Sequence, residues 1–240
     1  MQKNIQVLKL ILGISLVFAT PFLSAAGPIT HALLAEKWIK YREQYTPEQK
    51  KSFVLGTLFP DIRYLGVIER DKTHEKNLAL ADLLAPQTEF TKGKRLHAFV
   101  DELREKFIVN QKIYDTIKTV PGQEYKAMFL KLLEDEILFS KQNWAPTLQS
   151  LATIDEEERK YNISEEHLQK WHRIQAMTFT QKPSEYLADL SAQNKGFGNV
   201  PIEITRQWIQ ILPKLAADAK MKQYVENMLQ EFDKTFEKKN

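Results

Sequence analysis

"FVLGTLFPDIRYLGVIERDKTH", residues Phe53 to His74, sets one carboxylate, Asp61, between two apolar runs and ends on a charged loop with a histidine. A carboxylate in such company is costly to bury unless a cation or strong hydrogen bonds compensate it. The same stretch bears on the fold. The apolar run continues a helix whose start is written at Thr46–Gln49, "TPEQ", a capping box with Pro47 at the first helical position. That helix is predicted to run to about Gly56. Taken alone, Asp61 after Pro60 is a turn residue.

Working outward, the pattern stays helical. "THALLAEKWIKYREQY" offers Thr30 as an N-cap and apolar residues at helical spacing. "THEKNLALADLLA" is predicted to open a helix at Thr73. Long helices are expected over about 91–110 and 122–142. Ser164 is expected to cap a helix over "ISEEHLQKWHRIQAM". A short helix over "KPSEYLADLSAQ" and two more near 202–219 and 221–237 complete the set. Only 8 glycines occur in 240 residues, and no stretch alternates with period two. These features predict an all-α chain with a single multihelical domain over residues 27–240.

Residues 1–26 read as a signal peptide. Lys3 and Lys9 give a basic start, Leu10–Phe18 an apolar run, and Ser24-Ala25-Ala26 a small-residue cleavage site. The competing reading is an uncleaved anchor. Cleavage after Ala26 would leave Gly27 at the N-terminus. The chain is at +3, and without the two leader lysines it falls to +1. That balance, and the lack of a basic block interleaved with aromatics, does not favour nucleic acid as a partner. With no cysteine, disulfides, thiolate catalysis, cysteine zinc sites and a lipid-modified cysteine all drop out. The expectation is an exported protein, periplasmic or secreted. Nothing in the sequence sets its oligomeric state.

The histidines carry the chemistry. His97 and Asp101 stand four apart in "RLHAFVDELREKF", on one helix face and within reach of a shared ion. By itself the pair is better read as an ordinary surface ion pair or a satisfied half-buried histidine. His31 and His74 each sit at an expected helix start. His167 and His172, five apart, share a helix face poorly and are read as surface or packing residues. Glu134 lies on the apolar stripe of Leu130, Leu133, Ile137 and Leu138. It is read as a metal ligand or as an acceptor for a ligating histidine, with Asp135 as the alternative and an interhelical salt bridge as the competing role.

Taken in order, "GPITH" at 27–31, "FVLGTLFPDI" at 53–62, "TH" at 73–74 and "LHAFVDEL" at 96–103 resemble the successive metal-binding segments of the zinc-dependent phospholipase C superfamily. That superfamily includes single-strand-specific nucleases. The resemblance covers about a third of the chain. It implies an all-α fold and a metal-dependent phosphodiester hydrolase, with a phospholipid or other phosphodiester as substrate and peripheral contact with a membrane surface. It implies one or two zinc ions. Gly27 and His31 would hold one, Asp61, His74 and His97 the other, and Asp101 would bridge them. Asp61 would orient or deprotonate the attacking water. The chain departs from the family in lacking histidine between Lys106 and Glu166, where a third zinc site belongs. Two alternatives therefore stay open: a non-catalytic relative whose metal site is structural or vestigial and which acts as a binding protein, and a nuclease.

Overall fold

The computed structural model describes residues 25–42 and 45–237, and these residues form helices and connecting turns with no strand among them. In chain order the helices are α1 (Pro28–Arg42), α2 (Pro47–Leu58), α3 (Arg70–Thr73), α4 (Leu80–Leu84), α5 (Glu89–Asn110), α6 (Ile113–Thr116), α7 (Lys126–Leu138), α8 (Ala145–Ser150), α9 (Glu156–Arg159), α10 (Glu165–Thr178), α11 (Pro183–Ala192), α12 (Ile202–Ala217) and α13 (Ala219–Phe236). The expected all-α class is what the chain adopts. None of these helices is long and apolar enough to cross a membrane.

The axis of the fold is the pairing of α2 with α5. Two glycines allow it. A Cβ on Gly56 would lie 2.1 Å from the Phe90 carbonyl oxygen, and one on Gly93 would lie 2.1 Å from the Phe53 carbonyl oxygen. The two backbones therefore touch directly, an approach no side chain permits. Around this crossing a continuous core buries Trp38, Phe53, Phe59, Phe90, Phe129 and Trp208. Helix α1 packs on both α2 and α5, and α7 packs against α1.

Most predicted helix starts hold. Thr46 and Gln49 form the capping box and Ser164 caps α10, while α5 starts at Glu89, two residues before the expected 91, with Thr88 as its cap. Helix α2 runs to Leu58, two residues past the expected end. Two expectations fail. Helix α1 starts at Pro28, ahead of the predicted cap Thr30. Its free N–H groups are taken from a distance: the Asp135 carboxylate of α7 accepts from the Ile29 and Thr30 amides and from Thr30 Oγ1. The cap is tertiary, so local sequence could not reveal it. No helix opens at Thr73. That residue closes the four-residue α3, His74 follows in extended backbone, and Asn77 turns left-handed at φ 56°.

The leader assigned to residues 1–26 lies outside the described residues except for Ala25 and Ala26. Both of these are buried within the fold.

Candidate metal centre

Five of the expected site residues meet at the α2–α5 crossing. His31 comes from the first turn of α1 and Asp61 from the 3-10 turn Pro60–Leu65 that follows α2. His74 follows α3, and His97 and Asp101 lie one turn apart on α5. All five are buried. Two triads could hold a metal ion: His31, His97 and Asp101, and Asp61, His74 and His97.

Asp101 is the hub. Its Oδ1 lies 3.2 Å from His31 Nε2, and its Oδ2 lies 3.8 Å from His74 Nε2 and 3.6 Å from His97 Nε2. Asp61 Oδ1 is 4.0 Å from His97 Nε2. Among the described residues, the Nε2 atoms of all three histidines, Asp61 Oδ1 and Asp101 Oδ2 are buried without a hydrogen-bond partner. Buried polar atoms are almost always paired. Bare donor atoms gathered into two triads that share His97 suit a bound cation.

The far side of the ring fixes the tautomer of His97 and His74, while His31 Nδ1 has no hydrogen-bond partner among the described residues. His97 Nδ1 lies 2.8 Å from the carbonyl oxygen of Thr57, which can only accept. Thr57 sits in the last turn of α2, where carbonyls lack an intrahelical donor. His97 therefore carries its proton on Nδ1 and presents a lone pair at Nε2. His74 Nδ1 lies 2.9 Å from Thr73 Oγ1, which spends its own proton on the Arg70 carbonyl. His74 too presents a bare Nε2. Ligating histidines are typically anchored in this way.

The charges agree with this state. Burial is the main effect on both histidines, holding His74 down at about 4 and His97 well below its ordinary 6.5. Both are neutral ligands near neutral pH. Burial alone would raise Asp61, but Lys131, His97 and Arg63 outweigh it and bring it to about 2. Asp101 is likewise held below the usual carboxylate range, with the neighbouring histidines outweighing burial.

The donors suit a small divalent ion. Ligands about 2.0–2.1 Å from a tetrahedral ion stand roughly 3.3 Å apart. The observed 3.6–4.0 Å between His97, Asp61 and Asp101 lies within a small side-chain adjustment of that. The triad Asp61, His74 and His97 has the Oδ2 edge of Asp101 beside it, 3.8 Å from His74 and 3.6 Å from His97. Among the described residues, the Oδ1 edge meets His31 and the amide of Ala26, which donates to it at 2.9 Å.

Two expected ligands do not join the centre. Gly27 sits against Asp135, and its carbonyl accepts the His31 amide at 2.9 Å as part of the first turn of α1. The backbone nitrogen that reaches Asp101 belongs to Ala26, one residue earlier. Glu134 is also elsewhere. Arg104 Nε and Nη2 donate to it at 2.6 and 2.9 Å, and Tyr224 Oη donates to the same carboxylate. It forms the interhelical salt bridge that was the competing reading. Asp135, the alternative, is spent on capping α1.

Sequence reasoning missed Thr57, Gln175 and Lys131. Gln175 lines a cavity of about 10 Å³ together with His31, Asp61 and His97, and its Oε1 is unpartnered. That is about the size of one water molecule. Lys131 stands four residues before Asp135 on α7, a spacing that puts both on the helix face turned to the centre.

Searches against family profiles, curated proteins and solved structures return no match for this chain.

Proposed function

We propose that the chain is a metal-dependent phosphodiester hydrolase, with zinc at the Asp61–His74–His97–Asp101 site. The observation that carries this reading is the set of unpartnered donors beside a cavity sized for one water. The reading also keeps the resemblance to zinc-dependent phospholipases C, and with it the exported location. A zinc ion held there would supply an acidified water and a Lewis acid for the phosphoryl oxygen. His74 and His97 hold their lone pairs on the site because Thr73 and Thr57 fix their tautomers. Asp61, ionised at neutral pH, accepts a hydrogen bond from a water in the adjacent cavity and orients it, with Gln175 Oε1 as a second acceptor. The His31 side becomes a second site if a leader is cut between Ala25 and Ala26, since the freed amine of Ala26 would then face Asp101.

A second reading is favoured by the cavity itself. About 10 Å³ admits a water but not a phosphate group, which suits a closed, structural ion. One experiment separates the two. The purified protein is stripped with a chelator and reloaded with zinc. Its hydrolysis of bis(4-nitrophenyl) phosphate and of 4-nitrophenylphosphorylcholine is followed alongside its thermal stability. Activity that leaves and returns with the metal supports the hydrolase. Stability that follows the metal, with no hydrolysis in either state, supports the structural site.

A further inference from the structure

Asp61 stands between the metal donors and two cations. Lys131 Nζ lies 3.7 Å from its Oδ2 and Arg63 Nη2 lies 3.4 Å from its Oδ1. Both cations rest on one aromatic ring: Arg63 Cζ is 4.1 Å and Lys131 Nζ 5.5 Å from the centroid of Tyr64. Their side chains keep 16% exposure for Lys131 and 14% for Arg63, a narrow edge open to solvent. Their hydrogen-bonding capacity is underused. Arg63 donates to Tyr64 Oη through Nη2, yet its Nε is buried without a partner. Lys131 is too far from Asp61 for a hydrogen bond.

Two like charges sharing one carboxylate are compensated only while that carboxylate belongs to them. Once Asp61 Oδ1 is committed to a metal ion, its charge is shared and the cations lose part of their partner. Poorly compensated, nearly buried cations are costly. An anion with several acceptor oxygens removes that cost. A guanidinium fork beside a point-charge ammonium is the donor set that phosphate oxygens recognise. One divalent ion, one ammonium and one guanidinium exceed Asp61, Asp101 and Asp135, the last also a charge partner of Lys131, by one charge, which suits a singly charged phosphate such as a phosphodiester.

We infer that Lys131 and Arg63 form a phosphoryl-binding pair that seats a phosphate group, free or esterified, on the Asp61 edge of the metal centre. The inference rests on the hydrolase reading for its substrate but not for its geometry.

The test uses the full chain and inorganic phosphate. Zinc-loaded wild type, Lys131→Gln, Lys131→Arg and Arg63→Gln are titrated by calorimetry, and the zinc content of each is measured. The expected result is equal zinc in all four. Phosphate binding should weaken at least about tenfold in both glutamine variants, the loss of one charge-assisted contact. Lys131→Arg should fall nearer wild type. Unchanged phosphate affinity in both glutamine variants overturns the pair, and so does a loss of affinity that only tracks a loss of zinc. Phosphate binding that depends on Lys131 without any phosphodiester hydrolysis leaves the pair standing and removes the hydrolase reading. If the wild type takes up no zinc, the titration is run on the metal-free chain. Binding that Lys131→Gln weakens then keeps the pair, and no binding overturns it.

Discussion

The imidazole of His97 lies flat on that of His31, centroids 3.8 Å apart and 11° from parallel. The ring of His74 stands edge-on to His97 at 4.9 Å. Three imidazoles this close cannot all be charged, and burial holds His74 and His97 neutral. Such a cluster is costly to the folded state when empty, because its bare nitrogens have given up water for nothing. A metal ion repays that cost. Zinc at a hundredfold excess over its dissociation constant should stabilise the protein by about 2.7 kcal/mol. For a chain of this length the melting temperature should rise by roughly 5–10 °C. His97→Ala should bind no zinc by elemental analysis and show no such rise. A melting temperature indifferent to both zinc and chelator would refute the centre.

The class of the fold was legible because it is written locally, in helical spacing and in signals such as the capping box at Thr46. The five central donors are each bland in their local surroundings, and it was their order along residues 27–103 that singled them out. What was not legible is held by tertiary partners. Asp135 and Glu134 are neighbours on α7 with similar sequence surroundings. One caps α1 and the other pairs with Arg104 across 30 residues. Neither partner can be deduced from the stripe on which they lie. Ala26 was assigned to the leader because its small side chain fits a cleavage site. In the fold it is buried, and its backbone amide donates to Asp101.

The metal-free protein should lose stability as pH falls through the range of its histidines. His74 has an ordinary value of 6.5 and is held at about 4 in the fold. Between those values the unfolded chain binds the proton and the folded chain resists it. The stability contribution is therefore complete above 6.5 and is lost as pH falls toward 4. The size is about 3 kcal/mol for this residue. Urea unfolding in chelator across this window should show the loss, and His74→Gln should flatten it. An equal slope in the variant would place the titration elsewhere.

His172 should behave in the opposite sense. Its Nε2 meets Glu158 at 2.8 Å and its Nδ1 meets the Leu151 carbonyl at 3.0 Å, so both nitrogens donate and the ring is charged. Burial would lower its value, but these acceptors outweigh it, and also Lys51, and raise it. Its contribution is fully present below 6.5 and is lost as pH rises through the raised folded value. Urea midpoints of wild type and His172→Gln, taken on either side of 6.5, should converge at the higher pH. A gap that widens there would contradict a charged His172.

Glu134→Gln separates the salt bridge from a ligand role. Arg104 and Glu134 are fully buried, and the carboxylate also takes the Tyr224 hydroxyl. Neutralising Glu134 removes the carboxylate that compensates the buried Arg104 guanidinium, at a cost of about 3 kcal/mol. Denaturant unfolding should register that loss while zinc content stays at the wild-type level. Loss of zinc with stability intact would restore Glu134 as a ligand.

Gly93→Ala should couple the two halves of the structure. Its new Cβ would fall 2.1 Å from the Phe53 carbonyl oxygen and 2.8 Å from the Thr57 amide nitrogen, both backbone atoms of α2. Backbone cannot rotate away as a side chain can, so α2 must move off α5. The overpacking should destabilise the protein by about 3 kcal/mol or more. The displacement has a further consequence, because the Thr57 carbonyl is what holds the proton on His97 Nδ1 and keeps Nε2 aimed at the site. Loss of such an anchoring contact weakens metal binding by about 10–100-fold. Competition with a chelating dye, run well below the variant's melting temperature, should find that loss in folded protein. Zinc affinity preserved in a destabilised Gly93→Ala would mean that the helix crossing supports the fold without setting the geometry of the metal centre.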